Sequence, residues 1–375
     1  MKIPCFDPTA VGALDTQESA RFLQACLFRF SALCRMRTAF LAAILLATSV
    51  SPASASKEIN PYSFYDGGAA GDDYRLPEWF KDSFLDLRED LAEALENNKK
   101  GLLVYFGSRF CSYCKVLLEV NFRQPAIRSL IEENFDVIGL EVLSNAEITA
   151  FDGATLPIRE FCKRERVRFT PTLVFYTPEG KQALKLEGYR PPDKFTAVLN
   201  YVIEGQYAQH SLRQYLAIKE NAATTANTRS LQSDELFSKP PYALDRRTFP
   251  GAVPLLVIFE RSDCPSCDIF HAEVLQQESV RKMLSGFEVV QLDMDDGATP
   301  VLTPTGRKLT AAQWADRLGV SYAPSFVYFD EAGNEVLRLD SATHYHRMVG
   351  ASQYVLEKAY RREPILIRWL REQEN

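Results

Sequence analysis

The chain has 375 residues, of which 46% are hydrophobic and 25% charged, and its formal net charge is -6. That length suits about two ordinary domains with room for a core, and the composition excludes a wholly disordered chain. The acidic balance argues against nucleic acid as a partner, because phosphate binding needs a basic footprint.

Arg35 and Arg37 flank the start of an apolar stretch, Ala39 to Val50, whose 12 residues are too few to span a bilayer. Ala53-Ser54-Ala55 then supplies small residues suited to cleavage. This is the pattern of a secretory signal cut after Ala55, with no cysteine placed for lipid attachment. Residues 1–55 are expected to be an N-terminal extension and signal peptide outside the fold. A signal beginning at Met36 is complete by itself, so translation is expected to start there. If Met1 is used, the run Phe22 to Leu33 suits a membrane-surface helix.

Of 8 cysteines, Cys5, Cys26 and Cys34 precede the cleavage site. Cys111 and Cys114 form one C-x-x-C, Cys264 and Cys267 another, and Cys162 stands alone. Two pairs and a singleton are too few for a disulfide scaffold and read as two local reactive pairs.

The chain repeats itself. Leu102-Leu103-Val104-Tyr105-Phe106 matches Leu255-Leu256-Val257-Ile258-Phe259 at an offset of 255 − 102 = 153. The same offset carries Cys111 to Cys264, Cys114 to Cys267, Pro171 to Pro324, Gly180 to Gly333 and Tyr201-Val202 to Tyr354-Val355. A constant register over residues 102–202 predicts a duplicated domain.

In chain order, Trp79 and Phe80 are expected to pack on the first domain, and Asp82–Glu96 reads as an amphipathic helix with a solvated face. Leu102–Phe106 has strand character. A helix begins at the first C-x-x-C, with Val116, Leu117 and Val120 apolar; Ile269, Phe270 and Val274 are their counterparts. Strands follow at 135–142 and 287–294, helices at 158–166 and 311–318, and strands after X-Pro at 172–176 and 325–329. Closing helices are expected over 193–203 and 352–360. Alternation of strands and helices makes each unit α/β with a partly parallel sheet. The expected divisions are a first domain over 75–218, a linker over 219–241 and a second domain with a C-terminal helix over 242–375.

Two cysteines three residues apart at a helix start can close a disulfide. The unpaired N–H groups and partial positive charge there stabilise the first thiolate, which lowers a cysteine pKa from about 8.5 to roughly 3.5–7.5. Cys111 and Cys264 are therefore the expected nucleophiles, and Cys114 and Cys267 the resolving partners.

The order strand, C-x-x-C, helix, strand, helix, then Thr170-Pro171-Thr172 and Gly188, resembles the thioredoxin superfamily. Phe106-Gly107-Ser108-Arg109-Phe110-Cys111-Ser112-Tyr113-Cys114-Lys115 with Glu187-Gly188-Tyr189-Arg190-Pro191-Pro192 is similar to periplasmic thioredoxin-related proteins of the SoxW type. The resemblance implies two tandem thioredoxin-like domains, each a central mixed sheet flanked by helices. It implies cis prolines at 171 and 324, with Thr170, Pro171, Gly188, Ala323 and Pro324 meeting substrate backbone. It also implies thiol–disulfide exchange in the periplasm with no cofactor. Oxidised periplasmic proteins would be the partners, and a membrane thiol-reducing transporter a possible electron donor. The alternative is a thioredoxin-fold protein that binds a client or metal, with at most the first domain redox-active.

Three departures stand out. The buried acid usual six residues before the first cysteine is replaced by Tyr105 and Ile258; Glu260 could substitute, although a solvated surface glutamate is the expected reading. The interval from first cysteine to proline is 60 residues in both copies (171 − 111; 324 − 264), with excess loop around 144–157 and 296–310. Gly188 maps to Ser341, so the glycine is missing from the second copy.

Arg109 and Lys115 flank the first pair, whereas Glu260, Asp263 and Asp268 flank the second, which predicts the higher reduction potential for Cys111–Cys114. Cys162 reads as a core residue. Cys264, Cys267 and His271 could hold copper or zinc, but Pro324 should crowd that site and surface histidines are common, so no metal is assigned.

Overall fold

The computed structural model describes residues 74–221, 230–340 and 343–373. The expected signal and extension, residues 222–229 of the expected linker and Ser341 lie outside them.

The Asp86 carboxylate accepts from the backbone N–H groups of Arg88 and Glu89 and so caps helix α1 (Leu87–Glu96). Leu87, Leu91 and Ala94 recur at helical spacing and are buried. The chain then enters β1 (Leu102–Gly107), all six residues of which are buried. A strand covered on both faces needs no polar alternation, which is why it reads as a continuous apolar run.

Helix α2 (Ser112–Val116) runs on into a π-helical turn over Leu117–Asn121. Helix α3 (Pro125–Glu132) leads to β2 (Asp136–Glu141), then the short strands β3 (Glu147–Thr149) and β4 (Thr155–Pro157), and helix α4 (Ile158–Arg164). Strands β5 (Thr172–Tyr176) and β6 (Gln182–Glu187) and helices α5 (Pro192–Ile203) and α6 (Leu212–Asn221) complete the first repeat. The main sheet has the order β2-β1-β5-β6, with β1 and β2 parallel and the other pairs antiparallel. The parallel pair requires a crossover, which α2 and α3 supply.

The second repeat follows the same plan. After β7 (Tyr242–Ala243) come β8 (Leu255–Glu260), α7 (Pro265–Ile269) with a π-helical turn over Phe270–Val274, α8 (Glu278–Leu284) and β9 (Glu288–Asp293). Strands β10 (Pro300–Leu302) and β11 (Lys308–Thr310), α9 (Ala311–Leu318), β12 (Ser325–Phe329), β13 (Glu335–Leu339), α10 (Tyr345–Leu356) and α11 (Leu366–Gln373) finish it. Its sheet runs β13-β12-β8-β9, with β8 and β9 parallel. Each repeat is thus a mixed sheet flanked by helices.

Two expectations need correction. The excess residues are ordered hairpins: β3 pairs antiparallel with β4, and β10 with β11. The closing helix of the second repeat starts at Tyr345, not at Ser352. Its start obeys the repeat offset (345 − 192 = 153), whereas Tyr345 and His346 lack the Pro-Asp start of α5.

Residues 230–241 lie along the second repeat. Phe237 is buried and forms a parallel bridge with Val289, and Ser238 N donates to Val289 O. Trp79 and Phe80 pack edge-on against each other and beside Phe122, on the core of the first repeat.

Both repeats belong to one compact unit, and their packing is reciprocal. Arg213, at the start of α6, donates to Met294 O at the end of β9 and pairs with Asp295. Arg368, in α11, donates to Val142 O at the end of β2 and to Ser144 O. Each repeat therefore sends its last helix to the matching strand end of the other. Among the described residues no helix is long and apolar enough to cross a membrane.

Candidate functional site

Each C-x-x-C stands where a central strand passes into a helix. Cys111 is the N-cap of α2, and its sulfur accepts from Cys114 N at 3.2 Å. Cys264 caps α7 in the same way, with Cys267 N at 3.0 Å. Both pairs are closed disulfides with Cα atoms 5.2 Å apart. The cysteine spacing, the strand before it and the helix after it are superimposable in sequence. A π-helical turn follows five residues after each helix start, a feature common at functional sites.

The prolines precede the strands that pair with these central strands. Thr170-Pro171 and Ala323-Pro324 are both cis. Thr172 pairs with Phe106 and Ser325 with Phe259, so each proline sits at the strand end from which the C-x-x-C departs. Gly188 N donates to Pro171 O at 2.8 Å, and Gly188 has φ 79°, a conformation that favours glycine. Thr170 is buried, as is Ala323. Asn121, on the π-helical turn, donates to Arg190 O at 2.9 Å and ties the redox helix to the Glu187–Pro192 loop.

The polar groups that the two central strands carry differ. In the first repeat Tyr105 is fully buried, and its hydroxyl shares a 3.0 Å hydrogen bond with that of Tyr74. Burial, followed by the proximity of Tyr74, pushes the Tyr105 phenol well above its ordinary value. Gly107 makes room for this: a Cβ there would lie 2.2 Å from Tyr105 Oη. In the second repeat Ile258 replaces Tyr105, and Glu260 replaces Gly107.

Glu260 is not a solvated surface residue: it is 1% exposed. His271 Nε2 lies 3.0 Å from both of its carboxylate oxygens, and Gln291 Nε2 donates to Oε2 at 2.7 Å. His271 is 5% exposed and packs edge-on against Phe237 and Phe270. The surface reading of His271 therefore fails too, and its Nε2 faces glutamate. Among the described residues no group of three or more His, Cys, Asp or Glu is placed to hold a metal ion. Glu260 shares one face of β8 with Leu256 and Ile258, and every residue of that strand is buried.

Of the expected flanking charges, Lys115 lies 4.0 Å from Glu119, and the Arg109 guanidinium lies 5.7 Å from the Phe110 ring. Glu141, which the sequence reading did not single out, accepts from Arg109 N at 2.8 Å. Asp268 accepts from the Gln232 side chain. Cys162 is fully buried, and burial pushes its thiol up to about 12.

The two disulfide-bearing faces are packed against each other. The Arg347 guanidinium lies 4.0 Å from the Tyr113 ring and 4.4 Å from that of Phe169. His344 stacks near Tyr113, and Arg371 lies 3.8 Å from the Phe110 ring. In the other direction Arg190 donates to Asp340 O and lies 4.5 Å from the ring of Tyr322, whose hydroxyl bonds Ser266 of the second C-x-x-C. Cys111 is accordingly 2% exposed and Cys264 8%.

The thioredoxin-like domain family model matches twice, over residues 87–203 and 250–355. Among solved structures the chain is similar to a thioredoxin-fold protein from Helicobacter pylori, at 26% identity over 34% of this chain and 88% of that one, with a TM-score of 0.31. It is also similar to a thioredoxin from Thermus thermophilus, at 28% identity over 33% and 88%, TM-score 0.27. The first two thioredoxin domains of Saccharomyces cerevisiae Eps1p align over 74% of this chain and 99% of that one, at 14% identity and a TM-score of 0.21. None of the curated proteins matches.

Proposed function

Because this chain belongs to the thioredoxin-like domain family in both of its repeats, we propose that it is an exported thiol–disulfide oxidoreductase that reduces, or relays electrons to, disulfides of periplasmic proteins. One observation carries the reading: in each repeat a closed C-x-x-C disulfide stands at a helix start, and a cis proline stands at the adjoining strand end. In the reduced state the Cys111 or Cys264 thiolate attacks a client disulfide, and one client thiolate leaves and takes up a proton. The Cys114 or Cys267 thiol then loses its proton and attacks the mixed disulfide, releasing the second client thiol. Thr170, Pro171, Gly188, Ala323 and Pro324 would receive the client backbone. Cationic neighbours favour the Cys111 thiolate, so electrons would run from the second pair to the first. A membrane thiol-reducing transporter would be the donor.

Coverage of both nucleophiles favours a second reading, in which the docked form holds a client or partner without turnover. Insulin-disulfide reduction with dithiothreitol tests both readings, using the mature chain, Cys111→Ser and Cys264→Ser. Loss of turnover in both variants supports two sites in series, and loss in Cys111→Ser alone makes the first site the enzyme. No turnover in the unmutated chain would discard the oxidoreductase reading.

A further inference from the structure

We propose that the cleft between the two repeats binds a small organic dianion, a dicarboxylate or a phosphate monoester, held by arginines of the first repeat and by Arg338 of the second. The proposal does not depend on the oxidoreductase reading, and none of the four C-x-x-C cysteines lines the cleft. The cleft lies where the outer strands of the two sheets approach. β6 closes one edge of the first sheet and β13 one edge of the second. Two arginines of the first repeat bracket β13. Arg168 Nη1 donates to Glu335 O at its start, at 2.9 Å, and Arg190 Nη1 donates to Asp340 O just past its end. All four of these residues line a cavity of about 420 Å³, a size that suits a small organic ligand.

The cavity wall is strongly cationic. Arg166, Arg168, Lys185, Arg190, Arg213 and Arg338 line it, against Glu187, Glu335 and Asp340. Charge on an edge strand discourages pairing with another chain, which accounts for Lys185 on β6 and Arg338 on β13. Both are also paired. Lys185 Nζ lies 3.4 Å from Glu187, and Arg338 donates to both carboxylate oxygens of Glu335, at 3.1 and 2.8 Å. Arg213 pairs with Asp295, 3.1 Å away. Asp340 lies 4.0 Å from Arg338, and burial pushes its carboxyl up, toward the neutral form. Six cations therefore face four carboxylates, which leaves two positive charges over even with every acid ionised.

Edge protection does not account for the other arginines. Arg190 is 2% exposed. Besides Asp340 O, its Nη1 donates to the carbonyls of Glu187 and Tyr189, both at 3.2 Å, and the guanidinium lies 4.5 Å from the Tyr322 ring. Among the described residues its Nη2 has no hydrogen-bond partner. A buried guanidinium with an unused donor costs stability, and an anion in the adjoining cavity offsets its charge. Arg168 is half-buried and uses one N–H on Glu335 O. Arg166 is exposed, and among the described residues its guanidinium makes no hydrogen bond or ion pair. Guanidinium forks match carboxylate and phosphate oxygens alike, which sets the chemistry of the ligand. The two excess charges set its valence. Arg166, Arg168 and Arg190 belong to the first repeat and Arg338 to the second, so the bound dianion bridges the repeats.

Isothermal titration calorimetry of the full mature chain tests the proposal. The probes are sodium succinate, a dicarboxylate, and glycerol phosphate, a phosphate monoester, each at low ionic strength and a pH where it is a dianion. At least one is expected to bind saturably, one per chain, with a dissociation constant below about 1 mM, and to bind more weakly in about 0.15 M salt. Binding of succinate alone identifies a dicarboxylate site, and binding of glycerol phosphate alone a phosphate site. Arg166→Gln and Arg168→Gln should each weaken binding about tenfold, as loss of a charged hydrogen bond does, and Arg166→Lys should restore part of the affinity. Arg128→Gln removes an exposed cation outside the cleft and should leave the affinity unchanged. Near-UV circular dichroism checks that each variant is folded; if Arg168→Gln unfolds, Arg166→Gln, which has no side-chain partner to lose, decides. Failure of both probes to bind the unmutated chain overturns the proposal, as does an unchanged affinity in the folded Arg166→Gln and Arg168→Gln variants. Neither result bears on insulin reduction, which tests the oxidoreductase reading separately.

Discussion

Replacing Arg347 by alanine removes the guanidinium that lies against Tyr113 of the first C-x-x-C and against Phe169, next to Thr170-Pro171. A cation over an aromatic ring is worth about 0.5–1 kcal/mol when exposed and about 2 when desolvated. Arg347 is half-buried and meets two rings, so its loss should weaken the docking of the two faces by about 1–2 kcal/mol. At about 1.4 kcal/mol per tenfold, the population with an open first site rises about 5- to 30-fold. The assay is the rate at which a reduced protein dithiol reduces Cys111–Cys114 in a chain carrying Cys264→Ser and Cys267→Ser. That rate should rise by the same factor in Arg347→Ala, and the rate with a small phosphine should rise less, because a small molecule needs less of the face uncovered. Equal rates with the protein reductant in parent and variant, both folded, would refute the reasoning.

Acid should loosen the same contact. Burial, followed by the charges of Arg347 and His346, lowers His344 to about 4. An unfolded or undocked histidine titrates near 6.5, so the docked form binds fewer protons between those values. Its stability is full above about pH 6.5 and is lost as pH falls toward 4; alkylation of reduced Cys111 against pH, with His344→Phe flattening the profile, measures it. Gly107→Ala should displace Tyr105, whose hydroxyl lies 2.2 Å from the new Cβ. A loss of about 1–3 kcal/mol on chemical denaturation is expected, and an unchanged midpoint would refute that packing.

The repeat was the most informative feature of the sequence. It carried the strands, the redox helices and the prolines into register, and where local pattern put the helix after β13 at Ser352, its true start at Tyr345 lies at the offset of 153 from Pro192. The C-x-x-C pairs were legible because their chemistry depends on local spacing. The polar partners of the central strands were not. Glu260 looked solvated because charge at a strand end usually is, and its burial depends on His271, eleven residues later, and on Gln291 from a neighbouring strand. Tyr74 meets Tyr105 from outside the repeat altogether. The hairpins at β3–β4 and β10–β11 were read as loops because three-residue strands are too short to show alternation.

The reciprocal reach of Arg213 to Met294 and of Arg368 to Val142 has the form of a contact between two copies of one protein, yet both sides are supplied by one chain. Dilution cannot separate such halves, because the linker fixes their effective concentration. A symmetric dimer would also have to carry every substitution twice. Here one copy keeps Gly107 and Leu118 while the other carries Glu260 and His271, so the two halves of one chain are free to diverge where two identical subunits are not.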